Sequence, residues 1–346
     1  MANESSYSPY LIIGKLSRDF ILTKDGEDIN DIPGGHLLYT AIGMSPWEKH
    51  PGLISKAGNN YPAVFLEKLK KYNFSTDGIR ILDSSLEHRN FISYFEPDED
   101  NGKDYRRQKS ALSQYFRAGK PFPKELLGYH QSEDKPIRFV GKTRETMLAR
   151  DVSPAYLEAR CVHLCPLDYI SHNLLPQAFS GEDKRTITMH SSPEYMVPYY
   201  YESIKTLING LTAFITRERS IRALFAERYK IHDLGDMMNT LLDFGAENVI
   251  VKADDFSYYF INRFDRKLKH IPNTEPSEYE KIGELSCFCG AHLIGINETY
   301  DYQKAAAYGA ARANILRNEQ NPYNNLDVYD ALLNEKIRIT ENCIEG

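Results

Sequence analysis

The sequence predicts an α/β fold in which a largely parallel β-sheet carries helices on both faces. Short apolar runs of strand length, such as Tyr10–Ile13 and Asn248–Lys252, recur along the chain, and segments with apolar residues at helical spacing separate them. Strands that alternate with helices in this way build a three-layer α/β/α sandwich. A chain of 346 residues with 42% hydrophobic content can bury one large core of this type, so residues 1–346 are treated as a single domain.

The first elements follow from apolar periodicity. Tyr10–Gly14 is an apolar run ended by a glycine, which predicts a buried first strand. His36–Gly43 predicts a helix, and Gly52–Asn60 predicts the second strand with its loop. Residues 63–72 repeat apolar side chains at helical spacing and are predicted as the next helix.

A hairpin and an irregular insertion are predicted next. Asn90–Phe95 and the segment starting at Lys103 flank the acidic run 96–102, which is typical of a long hairpin tip. Pro121–Pro136 is predicted as an irregular insertion. The later elements are short strands separated by helices, namely strands at Arg160–Cys165, Thr186–His190, Leu211–Ile215 and Asn248–Lys252, with a helix at Leu234–Phe244.

Charge and composition exclude several classes of partner. The net charge of −6 disfavours nucleic acid or an anionic membrane as the main partner. The polar start of the chain lacks a signal-peptide pattern, and no apolar run approaches the ~18–20 residues that cross a bilayer. Five sparse cysteines fit a reducing compartment, so the sequence predicts a cytoplasmic protein.

Cysteine and histidine spacing raises two alternatives that we assign to core packing. The residue types that bind zinc occur together twice, as Cys161, His163 and Cys165 and as Cys287, Cys289 and His292. On a helix, residues 287 and 289 point about 200° apart, so no metal site is predicted. A Cys–His nucleophile at Cys165 or Cys287 is the other alternative, and no feature of the sequence marks a depressed thiol pKa.

The segment Lys281–Ala291 carries the most informative motif. It precedes an alanine-rich run, Ala305–Ala313, and resembles the Gly-Ala-Gly-Asp-Ala/Ser-Phe-x-Gly-Gly motif of the ribokinase (PfkB) family of sugar and nucleoside kinases. Three of its residues match that motif: Gly283, Phe288 and Gly290.

Three N-terminal signals extend the resemblance over roughly residues 10 to 335. Asp19 follows the first strand, where the family keeps an aspartate that binds sugar hydroxyls, and Gly34-Gly35 resembles the family's glycine pair. Leu53–Asn60, followed by a helix and Thr76–Ile79, resembles the family's Val-Gly-Lys-Val-Gly-Asp-Asp block and its downstream Val-Asp-Thr-x-Gly-Ile.

The resemblance implies a ribokinase-like three-layer α/β/α sandwich with a small β lid. The lid would come from segments of approximately 20–33 and 88–110, and subunits would pair through it as a homodimer. The implied ligand is a sugar or nucleoside, and ATP and Mg²⁺ would be the cofactors of an active member. The implied substrate-binding residues are Asp19, Gly34, Gly35, His36, Tyr39 and Asn59, and the implied nucleotide-binding residues are Lys252, Gly283 and Gly290.

Tyr39 leaves two interpretations of the sugar pocket open. It stands where many members have an asparagine that touches the sugar. Together with His36, its ring favours an aromatic or larger ligand by stacking. Alternatively, the two side chains fill the pocket and it binds nothing.

The chain departs from the family at the positions that carry the chemistry. Ser286 stands at the catalytic aspartate, and Glu284 and Leu285 replace the small residues of the phosphate-binding helix N-terminus. Thr216–Arg219 aligns with the family's Asn-x-x-Glu, and Lys252–Ser257 aligns with its Thr-x-Gly-x-x-Gly. Losing a general base costs roughly 10²–10⁴ in rate, and losing an oxyanion donor about 10²–10³.

We therefore predict a degenerate kinase, or pseudokinase, that binds a sugar- or nucleoside-like molecule or acts as an assembly partner. One alternative is an active sugar or nucleoside kinase with a rearranged base, for which Glu284 is the candidate substitute. Another is a repurposed enzyme that uses Glu284, Ser286 or a cysteine. That alternative requires an open polar pocket around Ser286, and a pocket plugged by Leu285, Phe256 and Tyr39 would argue against it.

Overall fold

A nine-stranded sheet forms the centre of the molecule. The computed structural model describes residues 8–95, 110–130, 141–181, 185–228, 230–274, 280–317 and 321–346. The strands, in chain order, are β1 (Tyr10–Ile13), β2 (Ser17–Leu22), β3 (Asp28–Gly34), β4 (Gly52–Gly58), β5 (Ile79–Leu82), β6 (Arg89–Ser93), β7 (Cys161–Leu164), β8 (Thr186–His190), β9 (Ala213–Arg217), β10 (Asn248–Lys252), β11 (Tyr258–Asn262) and β12 (Lys269–Ile271). The large sheet has the order β12-β11-β10-β9-β8-β7-β1-β4-β5. It is parallel from β5 to β10, and β11 and β12 add an antiparallel edge.

Helices cover both faces of this sheet. They are α1 (His36–Met44), α2 (Ala63–Lys71), α3 (Ala111–Arg117), α4 (Tyr169–Ala178), α5 (Tyr201–Ile208), α6 (Glu218–Leu224), α7 (Leu234–Asp243), α8 (Glu284–Thr299), α9 (Tyr302–Arg317) and α10 (Asp330–Asn342). The predicted α/β/α architecture is confirmed, with the predicted strands and helices within about two residues of their observed bounds. No helix in the described ranges is both long enough and apolar enough to cross a membrane.

The two-residue period of the strands divides the core between the two faces. Leu11 and Ile13 of β1 pack in the cluster beneath α4, α5 and α7, whereas Tyr10 and Ile12 pack with α1 and α8. On strand β7, Cys161 packs on the same face of the sheet as Tyr10 and Ile12, in the cluster with α1 and α8. This cysteine therefore fills the core, as expected for a small apolar side chain.

A separate three-stranded sheet has the order β3-β2-β6, with β2 antiparallel to β3 and parallel to β6. It arises from the segments predicted to form the lid. The second strand of the predicted hairpin, from Lys103, lies outside the described residues, as does the acidic run 96–102. In the predicted insertion, residues 124–126 form a single 3₁₀ turn, and residues 131–136 lie outside the described ranges.

Close packing of α1 against α8 brings their first turns together. A Cβ atom on Gly43 would lie 2.2 Å from the carbonyl oxygen of Cys287, and one on Gly290 would lie 2.1 Å from that of Thr40. Only glycine permits such an approach between two helix backbones. The first turns of the two helices also meet, since His36 Nδ1 lies 2.7 Å from Ser286 Oγ.

Candidate functional site

The carboxyl ends of the parallel strands enclose a cavity of about 250 Å³. Ligands of open α/β sheets bind at this edge. Lys15 follows β1, His190 ends β8 and Arg217 ends β9. The full lining comprises Lys15, His36, Pro166, His190, Ser191, Ser192, Pro193, Glu194, Arg217, Arg219 and Ser220.

Ser286, which the sequence resemblance places at a catalytic aspartate, is hydrogen-bonded to a histidine. The Ser286 Oγ atom lies 2.7 Å from His36 Nδ1. His36 is the first residue of α1 and Ser286 the third of α8, so the helix packing described above creates this contact. Ser286 is buried, and the His36 ring meets the His190 ring edge-on at 5.5 Å between centroids. An imidazole at this distance can accept a proton from the serine hydroxyl.

Asp19, the predicted sugar-binding carboxylate, is fully buried and accepts hydrogen bonds from the protein itself. The Tyr39 phenol donates to Oδ2 at 2.5 Å, and Ser17 Oγ and Asn90 Nδ2 donate to Oδ1 at 2.5 and 3.1 Å. Burial, followed by the Asp19 charge, raises the pKa of Tyr39 well above its ordinary value, so its hydroxyl remains a donor. The Tyr39 hydroxyl thus occupies a bond that a ligand hydroxyl would otherwise make.

Packing around Asp19 and Tyr39 requires glycine at positions 34 and 283. A Cβ atom on Gly34 would lie 2.0 Å from Asp19 Oδ2, and one on Gly283 would lie 2.3 Å from the Tyr39 ring. Gly35 and Gly283 also have positive φ angles of 103° and 79°. These conformations favour glycine and let the backbone close around Asp19 and Tyr39.

A buried group of charges, which we term the Glu284 ion cluster, lies at the start of α8. Glu284 has no exposed surface, and its Oε1 atom is 2.6 Å from Lys252 Nζ and 2.5 Å from Arg317 Nη2. Lys252 Nζ also lies 3.0 Å from Glu280, and Arg217 binds both oxygens of Glu280 at 2.5 and 2.8 Å. Two carboxylates are therefore shared among three cations.

Phe256 covers part of this cluster. Its ring centroid lies 5.8 Å from Lys252 Nζ and 5.6 Å from Arg317 Cζ, and Phe256 itself is buried with a left-handed φ of 69°. A left-handed non-glycine residue costs about 1–3 kcal/mol, which the surrounding contacts must offset. The lysine predicted to meet a nucleotide is thus held by Glu280 and Glu284 under an aromatic ring.

Among the described residues, His36 lines the cavity and the other predicted site residues do not. Asn59 is in an exposed turn, where its amide donates to the Asp83 carbonyl oxygen at 2.9 Å. Gly290 lies within α8 against α1, and Leu285 is buried in the core below the first turn of α8. Leu285 and Tyr39 are both buried.

Sequence reasoning missed His190, Lys15 and the pocket-facing role of Arg217. Each lies at or just beyond the carboxyl end of a predicted strand. That position was the available signal, because the carboxyl ends of parallel strands meet at one edge of the sheet.

The sequence left two alternatives for the cysteines, a Cys–His nucleophile and a zinc site, and the structure describes their surroundings. Burial raises the pKa of Cys165 to about 12 and that of Cys287 to about 11. Both thiols are therefore protonated at neutral pH and poor nucleophiles. Within the described segments, no three His, Cys, Asp or Glu side chains are placed to hold a metal ion.

Comparisons with known proteins identify the fold. No protein-family model and no curated protein matches the sequence. Among solved structures, an uncharacterised sugar kinase from Pyrococcus horikoshii aligns with a TM-score of 0.61 at 18% identity, over 96% of this chain and 99% of that one. Ribokinase from Thermotoga maritima aligns with a TM-score of 0.60 at 16% identity, over 95% and 99%. A Burkholderia thailandensis nucleoside kinase in complex with inosine aligns with a TM-score of 0.61 at 13% identity, over 95% and 96%. The expected ribokinase-like fold is confirmed.

Proposed function

We propose that this ribokinase-fold protein is a pseudokinase that binds a small sugar- or nucleoside-like molecule and does not transfer phosphate from ATP. The observation that carries the proposal is the Glu284 ion cluster. It places a buried, paired carboxylate in the first turn of α8, where the fold's kinases present backbone N–H groups to phosphate.

Nucleotide binding would have to open this cluster. The cations best placed to meet phosphates, Lys252 and Arg317, are both buried and bound to Glu284. Breaking a buried ion pair costs about 3–5 kcal/mol. At about 1.4 kcal/mol per tenfold change, this cost alone weakens affinity roughly 10²- to 4 × 10³-fold.

The groups on the acceptor side also support the proposal. Ser286 is a neutral hydroxyl, and it has a histidine rather than a carboxylate beside it. Asp19 already accepts hydrogen bonds from Tyr39, Ser17 and Asn90. A sugar hydroxyl would have to displace one of these donors before it could be oriented for transfer.

The proposed class of ligand follows from the fold and the cavity. A nucleoside kinase of this fold has been solved with inosine, and sugar kinases share the fold. The cavity, at about 250 Å³, is near the lower end of small-molecule sites. We therefore propose a ligand no larger than a nucleoside.

The test is thermal unfolding of the full chain with Mg-ATP, with ADP, and with individual sugars and nucleosides, alongside an assay of ATP turnover. A ligand at about 100 times its Kd stabilises a protein by roughly 2.7 kcal/mol. We expect no shift with either nucleotide and a shift with a sugar or nucleoside. A higher unfolding temperature with Mg-ATP, together with ATP turnover, would refute the proposal. If no sugar or nucleoside raises the unfolding temperature, a role as an assembly partner is favoured.

One observation favours an active kinase as the second candidate. The His36–Ser286 contact places an imidazole, which can act as a general base, beside the hydroxyl at the position of the missing aspartate. Glu284, the substitute base named from the sequence, is committed to Lys252 and Arg317. If turnover is found, His36→Gln and Ser286→Ala should each abolish it; retention of activity in both variants would exclude this mechanism.

We also propose a cytoplasmic homodimer that pairs through the three-stranded sheet. Large apolar side chains are exposed on α3 and the turn beside that sheet, namely Leu112, Phe116 and Leu127. The cysteines at 161, 165, 287, 289 and 343 are all free, which fits a reducing compartment. Light scattering should give twice the monomer mass for the wild type and the monomer mass for Phe116→Asp. A monomeric wild type would refute pairing.

A further inference from the structure

Two tyrosines of the sandwich donate hydrogen bonds to strands of the three-stranded sheet. Tyr39, on α1, donates to Oδ2 of Asp19 on β2 at 2.5 Å. Tyr323, in the 3₁₀ turn Pro322–Asn325 between α9 and α10, donates to the carbonyl oxygen of Pro33 on β3 at 2.7 Å. The two bonds join β2 and β3 to residues that lie 20 and 290 positions away along the chain.

A third tyrosine bond has its donor in the sandwich and its acceptor on the sheet. Tyr94 directly follows β6, and its backbone N–H donates to the carbonyl oxygen of Leu22 on β2 at 2.8 Å. Its phenol oxygen accepts a hydrogen bond from the backbone N–H of Ile282 at 2.6 Å, two residues before α8 begins. Each of the three strands is thus joined to the sandwich by one tyrosine hydroxyl.

Burial strengthens these bonds. Tyr39, Tyr94 and Tyr323 are all buried, and Asp19 has no exposed surface. A hydrogen bond is stronger in such an environment than in water, because the local dielectric constant is low. Burial also raises the pKa of Tyr323 well above its ordinary value, so its hydroxyl keeps its proton and remains a donor.

An apolar contact accompanies the three bonds. Ile21, Ile32 and Ile92, one from each strand of the sheet, form a buried cluster with Tyr94, and Ile282 of the sandwich packs against it. Separating the sheet from the sandwich would expose this apolar surface to water, which is unfavourable. The polar and the apolar contacts are all made by the protein's own groups.

We propose that these contacts hold the three-stranded sheet closed against the sandwich without a ligand, so that the sheet is a fixed part of the molecule and not a lid that a substrate closes. The position of the cavity supports this inference. Among the described residues, none that lines the cavity belongs to β2, β3 or β6. A ligand can shift a conformational equilibrium only through a difference in its contacts between the two states. A molecule in the cavity would therefore have little means of driving closure.

The experiment measures how often the sheet opens. Ile92→Cys places a thiol in the apolar contact, and its reaction with the thiol reagent DTNB is followed in the full chain with no ligand added. The thiol reacts only when the contact opens, so its rate reports the open fraction. We expect it to react at least roughly 100-fold more slowly than in urea-unfolded protein. The wild-type chain, whose five cysteines are free, gives the background rate.

Removing the tyrosine bonds should release the sheet. Combined with Ile92→Cys, Tyr94→Phe and Tyr323→Phe should each raise the rate roughly 5- to 100-fold. Tyr302→Phe is the matched control, because it also removes a phenol hydrogen bond of 2.7 Å, which Tyr302 makes to Glu247. Tyr302 packs against a core cluster that contains no residue of the three-stranded sheet, so its loss should leave the rate unchanged.

Three results would overturn the inference. The first is an Ile92→Cys thiol that reacts as fast as in the unfolded chain, or that is protected only after a sugar or nucleoside is added. The second is an equal effect of Tyr302→Phe and Tyr94→Phe. The third is loss of protection in Phe116→Asp, which would assign closure to the pairing of subunits. The inference does not rest on the loss of phosphotransfer, since ATP turnover would refute that proposal and leave these thiol rates unaffected.

Discussion

Replacing Glu284 by glutamine tests whether the first turn of α8 is a closed ion cluster. The carboxylate is fully buried and pairs with Lys252 and Arg317, whose side chains are 1% and 3% exposed. Glutamine preserves the volume and removes only the charge. Glu280 would then still pair with Lys252 and Arg217, whereas Arg317 would lose its carboxylate partner Glu284 in the cluster.

The expected loss is large because solvent cannot replace the missing charge. Removing one member of a buried ion pair costs about 3–5 kcal/mol, a substantial share of the ~5–15 kcal/mol that stabilises a typical domain. Exposed pairs contribute about 0–1 kcal/mol, so Glu335→Gln, which breaks a surface pair with Arg338, is the matched control. Adding Lys252→Met to Glu284→Gln should recover part of the loss, since it removes one of the two buried cations that Glu284 neutralises.

Urea unfolding followed by tryptophan fluorescence provides the measurement. Trp47 is the single tryptophan, and its ring stacks on Tyr308 with 5.2 Å between centroids. A loss below about 1 kcal/mol for Glu284→Gln would show that the carboxylate is solvated or exchangeable. That result would remove the main support for the proposed loss of nucleotide binding.

Three further changes probe the packing around the site, each followed by urea unfolding. Tyr39→Phe removes the phenol that donates to Asp19 and should cost about 1–3 kcal/mol. Gly43→Ala places a methyl group against the α8 backbone and should lower the free energy of unfolding by about 1–3 kcal/mol or more. Gly181→Ala, whose added Cβ atom would have no neighbour within 4 Å, should change it by no more than about 0.5 kcal/mol. His292 is buried, and desolvation lowers its pKa from 6.5 to about 3, so stability is present above pH 6.5 and is lost as the pH falls. Between pH 6.5 and 5.5 the wild type should therefore lose about 1 kcal/mol more than His292→Phe.

Specific outcomes would contradict these predictions. An unchanged midpoint for Tyr39→Phe would mean that water or another donor already serves Asp19. Equal stability of Gly43→Ala and Gly181→Ala would mean that α1 and α8 are not in backbone contact. Parallel pH profiles for the wild type and His292→Phe would show that folding does not lower the pKa of this histidine.

Much of the fold could be predicted because its signals are local. The buried strands, such as β1 and β10, are apolar runs in the sequence, and the apolar residues of α2 and α7 recur at helical spacing. The lid strands β2 and β3 were predicted only through the family resemblance, since their residues alternate weakly. The edge strand β12 has three residues, too few for a periodic pattern.

The sequence named several residues discussed here but did not predict their contacts. Asp19, Tyr39 and Ser286 were all named from the sequence, and the structure gives each of them a partner within the protein. His190 was missed because a histidine at the end of a strand has no distinguishing local pattern. Lys252 was named for a nucleotide, while its neighbours Glu280 and Glu284 lie 28 and 32 residues away along the chain.

The sequence by itself determined the layered α/β architecture and the order of its elements, and its resemblance to the kinase family predicted Ser286 at the position of the aspartate. It left open whether Tyr39 stacks on a ligand or fills the pocket. Only the tertiary structure decided that the Tyr39 phenol bonds Asp19, that Ser286 meets His36 across 250 residues, and that Glu284 holds Lys252 and Arg317. The physical reason is that secondary structure follows from periodicity within a few residues, whereas hydrogen-bond and ion-pair partners depend on which distant side chains packing buries together.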